Sequence, residues 1–334
     1  MAMLTASRIA CLPHRCSHTA CVCAQQKVYK GTACRLKSVQ HISVSTFGAR
    51  QAVASPKSTS ARRIHIMAQG QDSSKVLVTG AGGKTGGSVF RKLLAQPGNF
   101  KAVAVVRSEQ SAGKLKEAGA EEGAITIVDI TNEADAAKLE EAMSGAHALV
   151  IATSGVPEMR GPPKEGQPPN FGWKGDQLPE QVDWEGQKRQ IDAAKAAGVK
   201  QVVVVSSMGI TQKENRLNTL GNGNILVWKR KAEEYLIASG LPYTIIHPGG
   251  LSDDKGGERE LVLGVDDKLM SSGGPRRIPR EDVAELCVQC IDMPEAINRS
   301  FDCVAREPAD GNPTKDFPKL LQELQGNHSY GPLQ

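Results

Sequence analysis

Short apolar runs alternate with longer amphipathic segments from residue 75 onward, and this alternation sets the expected architecture. Runs of strand length fall at Lys75–Thr79, Ala102–Val106, Ile125–Asp129, Ala148–Ala152, Gln201–Ser206, Tyr243–Pro248 and Phe301–Val304. Helical periodicity predicts helices over Gly87–Ala95, Ser111–Ala118, Glu133–Met143, Val182–Ala197, Asn224–Ser239, Glu281–Ile291 and Pro318–Leu324. Gly198 and Gly240 each stand between a helix and a strand, where a residue with positive φ ends a helix at little cost. A strand that is wholly apolar, such as Val202–Val205, needs cover on both faces. The expected fold class is therefore α/β, a doubly wound parallel sheet between two helical layers.

Three long Gly/Pro-rich loops interrupt the rhythm, over residues 155–181, 209–223 and 249–279. Each follows a strand, and in a doubly wound sheet the loops beyond the strand carboxyl ends build the ligand crevice. They are expected to form, with the C-terminal part, a small lid or substrate region on a single domain spanning 68–334.

Charge divides the chain in two. Residues 1–71 hold ten Lys or Arg and no acid, although the whole chain has 41 basic and 36 acidic residues and a net charge of +5. The remainder carries 31 basic against 36 acidic side chains, a net charge of −5, which gives no support for nucleic-acid binding. A basic, acid-free, Ser/Thr/Ala-rich segment without a central apolar block reads as an organelle transit peptide over residues 1–67, with cleavage near Ile66-Met67-Ala68. Its hydroxyl content favours the chloroplast stroma; a disordered N-terminal tail is the alternative. No apolar run approaches the roughly 20 residues of a membrane helix. Cys11, Cys16, Cys21, Cys23 and Cys34 lie in this leader, leaving Cys287, Cys290 and Cys303. Cys287-Val-Gln-Cys290 sits inside an apolar helix with no second ligand pair, so it reads as packing and no metal site is expected.

The first strand runs into Thr79-Gly80-Ala81-Gly82-Gly83-Lys84-Thr85-Gly86 and then a helix. Glycines at 80, 83 and 86 let the backbone turn sharply and approach a pyrophosphate resting on the helix N-terminus, the dinucleotide site of a Rossmann fold. NAD sites place an acid about 20 residues past the glycines to bond the ribose 2′-hydroxyl. Here the second strand ends in Arg107-Ser108. Arg107 attracts a 2′-phosphate and Lys84 can reach the same group, so NADP(H) is the expected cofactor. Asp129-Ile130 would lie beside the adenine, and Thr153-Ser154 would face the ribose and nicotinamide. Both pairs are equally suited to capping helices.

Taken with the motifs VRS at 106–108, DIT at 129–131, PEQVDWEGQKRQIDAAKAAGVK at 179–200, VVVVSSMG at 202–209, LGNGNILVWKRKAEEYL at 220–236 and PYTIIHPGGL at 242–251, the chain resembles the atypical, NmrA-like short-chain dehydrogenase/reductases. It is most similar to a plant and algal, partly plastid-targeted subgroup. The resemblance implies a catalytic Ser at Ser207 and a ribose-binding Lys at Lys229. The family's proton-donating Tyr, four residues before the Lys, falls on Ile225, and none of the four tyrosines (Tyr29, Tyr235, Tyr243, Tyr330) has Lys four residues later. Lys229 would then hold ribose or act itself as the acid/base group, or be one exposed cation of a basic helical run. His247, in the loop that approaches the nicotinamide in the family, can donate a proton or contact a phosphate, or be structural.

Two functions are compatible with these residues. One is an NADPH-dependent oxidoreductase acting on a small-molecule acceptor, such as a flavin, quinone or conjugated plastid metabolite, that needs little enzymic protonation. The other is a non-catalytic NADP(H) sensor that docks a partner. Homo-oligomerisation is compatible with either.

Overall fold

A computed structural model describes residues 73–162 and 169–331; the predicted transit peptide lies outside the described residues. The strands are β1 (Ser74–Thr79), β2 (Phe100–Val106), β3 (Ile125–Ile127), β4 (Ala148–Ile151), β5 (Pro157–Met159), β6 (Phe171–Trp173), β7 (Gln201–Val205), β8 (Tyr243–Pro248), β9 (Gly250–Ser252), β10 (Leu261–Gly264), β11 (Arg277–Pro279) and β12 (Arg299–Ala305). The helices are α1 (Lys84–Leu94), α2 (Glu109–Glu117), α3 (Ala136–Met143), α4 (Gln187–Ala196), α5 (Arg216–Thr219), α6 (Ile225–Ser239), α7 (Lys268–Ser271), α8 (Arg280–Gln289) and α9 (Phe317–Glu323).

Eight strands form one sheet in the order β10-β12-β8-β7-β4-β1-β2-β3, parallel throughout except for antiparallel β10 at the edge. This is the expected doubly wound α/β sheet, a Rossmann fold. All seven strands expected from the sequence are in it. The eighth, β10, hides in the glycine-rich stretch after β8, too short to show a period. Alternate side chains of the central strands feed two cores. Val76 and Val78 pack with Phe90 and Leu286 on one face, while Leu77 and Leu149 pack with Ile191 and Leu236 on the other. Fully burying each such side chain contributes about 1.5–3 kcal/mol.

Element ends follow from local hydrogen bonding. β3 stops two residues short of the predicted Asp129, because the Asp129 N–H donates to the Asp135 carboxylate at 2.9 Å instead of to a strand. The single helix expected from Val182 is a seven-residue π-helical segment, Glu180–Gly186, running into α4. Gly198 and Gly240 adopt φ of 68° and 79°, the left-handed values expected just past a helix. Cys287, Cys290 and Cys303 are buried free thiols, and burial pushes the Cys290 thiol up to about 12. Among the described residues no helix is long and apolar enough to cross a membrane.

Candidate functional site

The strand order reverses between β1 and β4, and the crevice beyond their carboxyl ends is where a doubly wound sheet binds its ligand. A cleft of about 760 Å³ occupies that place. Gly80, Gly83, Lys84, Thr85 and Gly86 line it from the turn after β1; Arg107, Asp129, Ile130, Thr153 and Ser154 line it from the ends of β2, β3 and β4. The turn is close-packed backbone. Gly80 has φ of 71°, and a Cβ there would meet the Ala152 carbonyl oxygen at 2.6 Å. A Cβ on Gly86 would run into the Gly80 carbonyl. These glycines leave no room for side chains and bring backbone to the floor of the cleft, as a cradle for a pyrophosphate requires.

The electrostatics favour an anion. Among the described residues, five cationic side chains line the cleft, Lys84, Arg107, Lys114, Lys174 and Arg280, against a single carboxylate, Asp129. Asp129 is turned inward on its own loop, accepting from the Thr131 N–H at 2.9 Å and the Thr131 hydroxyl at 2.7 Å. Gln177, from the loop before the π-helical segment, spans the opening. It accepts from the Arg107 guanidinium and donates to Thr131 Oγ1 at 3.1 Å. Asp253 pairs with Lys84 at 2.6 Å and with Arg280 at 2.5 Å, and the Lys84 hydrogen bond foremost holds its carboxyl below the usual carboxylate range.

The remaining expected site residues sit elsewhere. Ser108 does not line the cleft; it caps α2, accepting from the Ser111 N–H at 3.3 Å. The Ser207 hydroxyl donates to the Met208 carbonyl at 3.0 Å. Lys229 is buried rather than one of an exposed basic run, paired with Asp183 at 2.9 Å. The other Asp183 oxygen accepts from the Gly155 N–H at 2.8 Å, so Lys229 stands behind the turn that lines the cleft. Ile225, at the family's Tyr position, is packed with Trp173, Ile210 and Leu226 in a small apolar core. His247 does not approach the cleft. Its ring is fully buried, and its Nε2–H donates to Glu233 at 3.0 Å. Burial alone would lower its pKa, but Glu233 outweighs this and the net shift is upward.

Sequence reasoning missed Gln177, Lys174, Lys114, Arg280 and Asp183. A signal for the last was present. Asp183, Gln187 and Gln190 recur at helical spacing and are all buried, a polar face turned inward. That face holds the loop after β4, since Gln190 Nε2 also donates to Thr153 Oγ1 at 3.2 Å.

A family model described as NAD(P)H-binding matches residues 80–294, and the chain belongs to that family. An uncharacterised chloroplastic protein of Arabidopsis thaliana is 49% identical over 251 residues, covering 75% of each chain. Sanguinarine reductase of Eschscholzia californica is 44% identical over 276 residues, covering 76% of this chain and 98% of that one. Among solved structures, a putative NAD-dependent epimerase/dehydratase from Bacillus halodurans is 25% identical with a TM-score of 0.56, covering 75% of this chain and all of that one.

Proposed function

We propose that the protein is an NADP(H)-dependent reductase of the chloroplast stroma, delivered there by residues 1–67, which passes hydride to a conjugated small-molecule acceptor. The observation that carries this reading is Arg107 at the end of β2, in a cleft that, among the described residues, is lined by five cations and one carboxylate already committed to its own turn. The chain's residues fit the dinucleotide. Gly80, Gly83 and Gly86 would admit its pyrophosphate, and Arg107 with Lys84 would hold the 2′-phosphate, each charge-assisted bond contributing about 1.5–3 kcal/mol. NADPH, when bound, supplies the hydride.

The chain's own contribution is positioning and exclusion of water. Lys229 acts through Asp183 on the Gly155 N–H, fixing the turn that faces the nicotinamide half of the cleft. The loops 155–181 and 209–223, expected to form a lid, touch through Trp173, whose Nε1–H donates to the Gly221 carbonyl at 3.3 Å. With Ile225 where the family has Tyr, no phenol delivers a proton there. This suits acceptors that take hydride without concerted protonation, such as a flavin, a quinone or sanguinarine itself, the compound named for the relative.

A sensor reading is favoured by one observation, the burial of both Ile225 and Lys229 away from the cleft. Cofactor choice is tested by calorimetry. NADPH should bind at least about tenfold more tightly than NADH, a difference of about 1.4 kcal/mol, and Arg107→Asp should erase or invert the ratio. Equal affinities in the unmutated protein would contradict the assignment of Arg107.

A further inference from the structure

β7 is the neighbour of β4 in the sheet, with Val204 beside Ile151, so the chain leaves β7 next to the point where it leaves β4 for Thr153 and Ser154 on the cleft wall. The stretch from Ser206 to Thr211 therefore lies at the carboxyl edge of the sheet, on the side from which an acceptor must reach the cofactor. It carries Ser207 and opens the loop over residues 209–223. What holds this stretch comes from parts of the chain far away in sequence.

Asp267, in the turn after β10, accepts three hydrogen bonds from it. One carboxylate oxygen takes the Gly209 N–H at 2.5 Å; the other takes the Thr211 N–H at 3.0 Å and the Thr211 hydroxyl at 2.5 Å. Asp267 is buried, and it and Asp266 hold left-handed φ of 56° and 58°. Residues with side chains keep that conformation where their surroundings fix it. Asp266 is fixed from the far side, accepting the Ser329 N–H at 2.6 Å. The other end of the stretch is tied as well. The Ser206 hydroxyl donates to Glu233, and the same carboxylate accepts from the Tyr330 hydroxyl at 2.9 Å. The Tyr330 ring packs against the small core of Trp173, Ile210, Ile225 and Leu226. Ser329 and Tyr330, adjacent in the segment after α9, thus secure residues 206–211 from both ends. Their neighbours pin the segment itself. The His328 N–H donates to the Ser300 carbonyl at 3.1 Å, and the Arg230 guanidinium donates to the Gly331 carbonyl at 2.5 Å.

We propose that residues 328–331 are a positioning clasp for the acceptor side of the site, with Tyr330 as its central residue. None of the four lines the cleft. They act through Asp266-Asp267 and through Glu233 on the stretch that carries Ser207, and the glycine turn is held separately by its own backbone bonds, Gly83 N–H to Gly80 and Gly87 N–H to Gly83, each at 2.9 Å. Opening the clasp therefore frees residues 206–211 and leaves the cofactor cradle in place, a local opening below the global one. That an acceptor meets this stretch rests on the reductase reading; the clasp itself does not.

Hydrogen exchange of the full-length protein, read at single amides, is the test. In Tyr330→Ala the Gly209 and Thr211 amides should exchange at least about tenfold faster than in the wild type, while those of Gly83 and Gly87 stay within about twofold. NADPH affinity, read by calorimetry, should be unchanged. Exchange at Gly209 and Thr211 that does not respond overturns the clasp. So does a rise shared equally by Gly83 and Gly87, the mark of general destabilisation. Should Tyr330→Ala fail to fold, the wild type decides. In low urea the Ser329, Gly209 and Thr211 amides should merge into one cooperative opening; a Ser329 amide that opens alone overturns the proposal. With an acceptor that is turned over, Tyr330→Ala should raise the acceptor KM by a larger factor than it lowers kcat, at unchanged KM for NADPH. A fall in kcat with both KM values unchanged, the signature of lost folded enzyme, overturns the positioning role. Absence of turnover with every acceptor defeats the reductase reading alone, and the exchange measurements still decide the clasp.

Discussion

Asp183 and Lys229 meet at 2.9 Å with side-chain exposures of 0% and 6%, and the same carboxylate holds the Gly155 N–H at the wall of the cleft. The pair is desolvated, so removing one partner strands the other. Asp183→Leu or Lys229→Met should each destabilise the protein by about 3–5 kcal/mol. The double variant Asp183→Leu/Lys229→Met should cost far less than the two together, because no uncompensated charge remains. Urea unfolding of the four proteins measures this coupling, and strictly additive losses would show that the two side chains do not depend on each other.

The glycine turn and the place of Arg107 at the cleft are legible because a dinucleotide cradle fixes residue types at set offsets from a strand, and strand ends are marked by apolar runs. Asp183 is not legible from helical periodicity, which marks apolar positions, because the inward face of Asp183, Gln187 and Gln190 is polar. The π-helical segment was invisible for the same reason, since one residue added to a turn leaves the composition unchanged. His247 was visible as a residue, but its surroundings were not. Its neighbours Asp302 and His328 lie 55 and 81 residues further along the chain, and only sheet topology brings them together.

Gln177 ties the Arg107 guanidinium to Thr131 across the cleft mouth. A 2′-phosphate must displace this amide before it can reach Arg107. Gln177→Ala should therefore raise the association rate constant for NADPH several-fold, leaving dissociation less affected. Stopped-flow fluorescence of NADPH binding reads both constants. An unchanged or slower association would remove Gln177 as a competitor for the phosphate.

The Glu233–His247 contact makes stability depend on pH from both sides. For Glu233 burial works against ionisation, yet His247 and the neighbouring hydroxyls outweigh it and its pKa is lowered. The stabilisation it brings is thus present above its unfolded pKa and lost as pH falls through the lower folded value. His247 is shifted upward, so its share is present below the unfolded imidazole pKa and lost as pH rises through the folded value. The stability difference between wild type and Glu233→Gln should peak at roughly pH 4.5–6.5, between the unfolded values of the two groups. Unfolding curves across pH measure it, and a difference independent of pH would mean that the pair is not ionised in the fold.

The reductase reading rests finally on whether hydride leaves NADPH in this cleft. The most direct measurement is single-turnover oxidation of NADPH, at saturating cofactor and with enzyme in excess, against a flavin, a quinone and sanguinarine. A catalyst of the proposed kind should oxidise one equivalent of NADPH with at least one of these acceptors, at a rate that Arg107→Asp lowers and that a higher NADPH concentration restores. Tight NADPH binding with no oxidation by any of the three would contradict the reductase and leave the cofactor-sensing reading in its place.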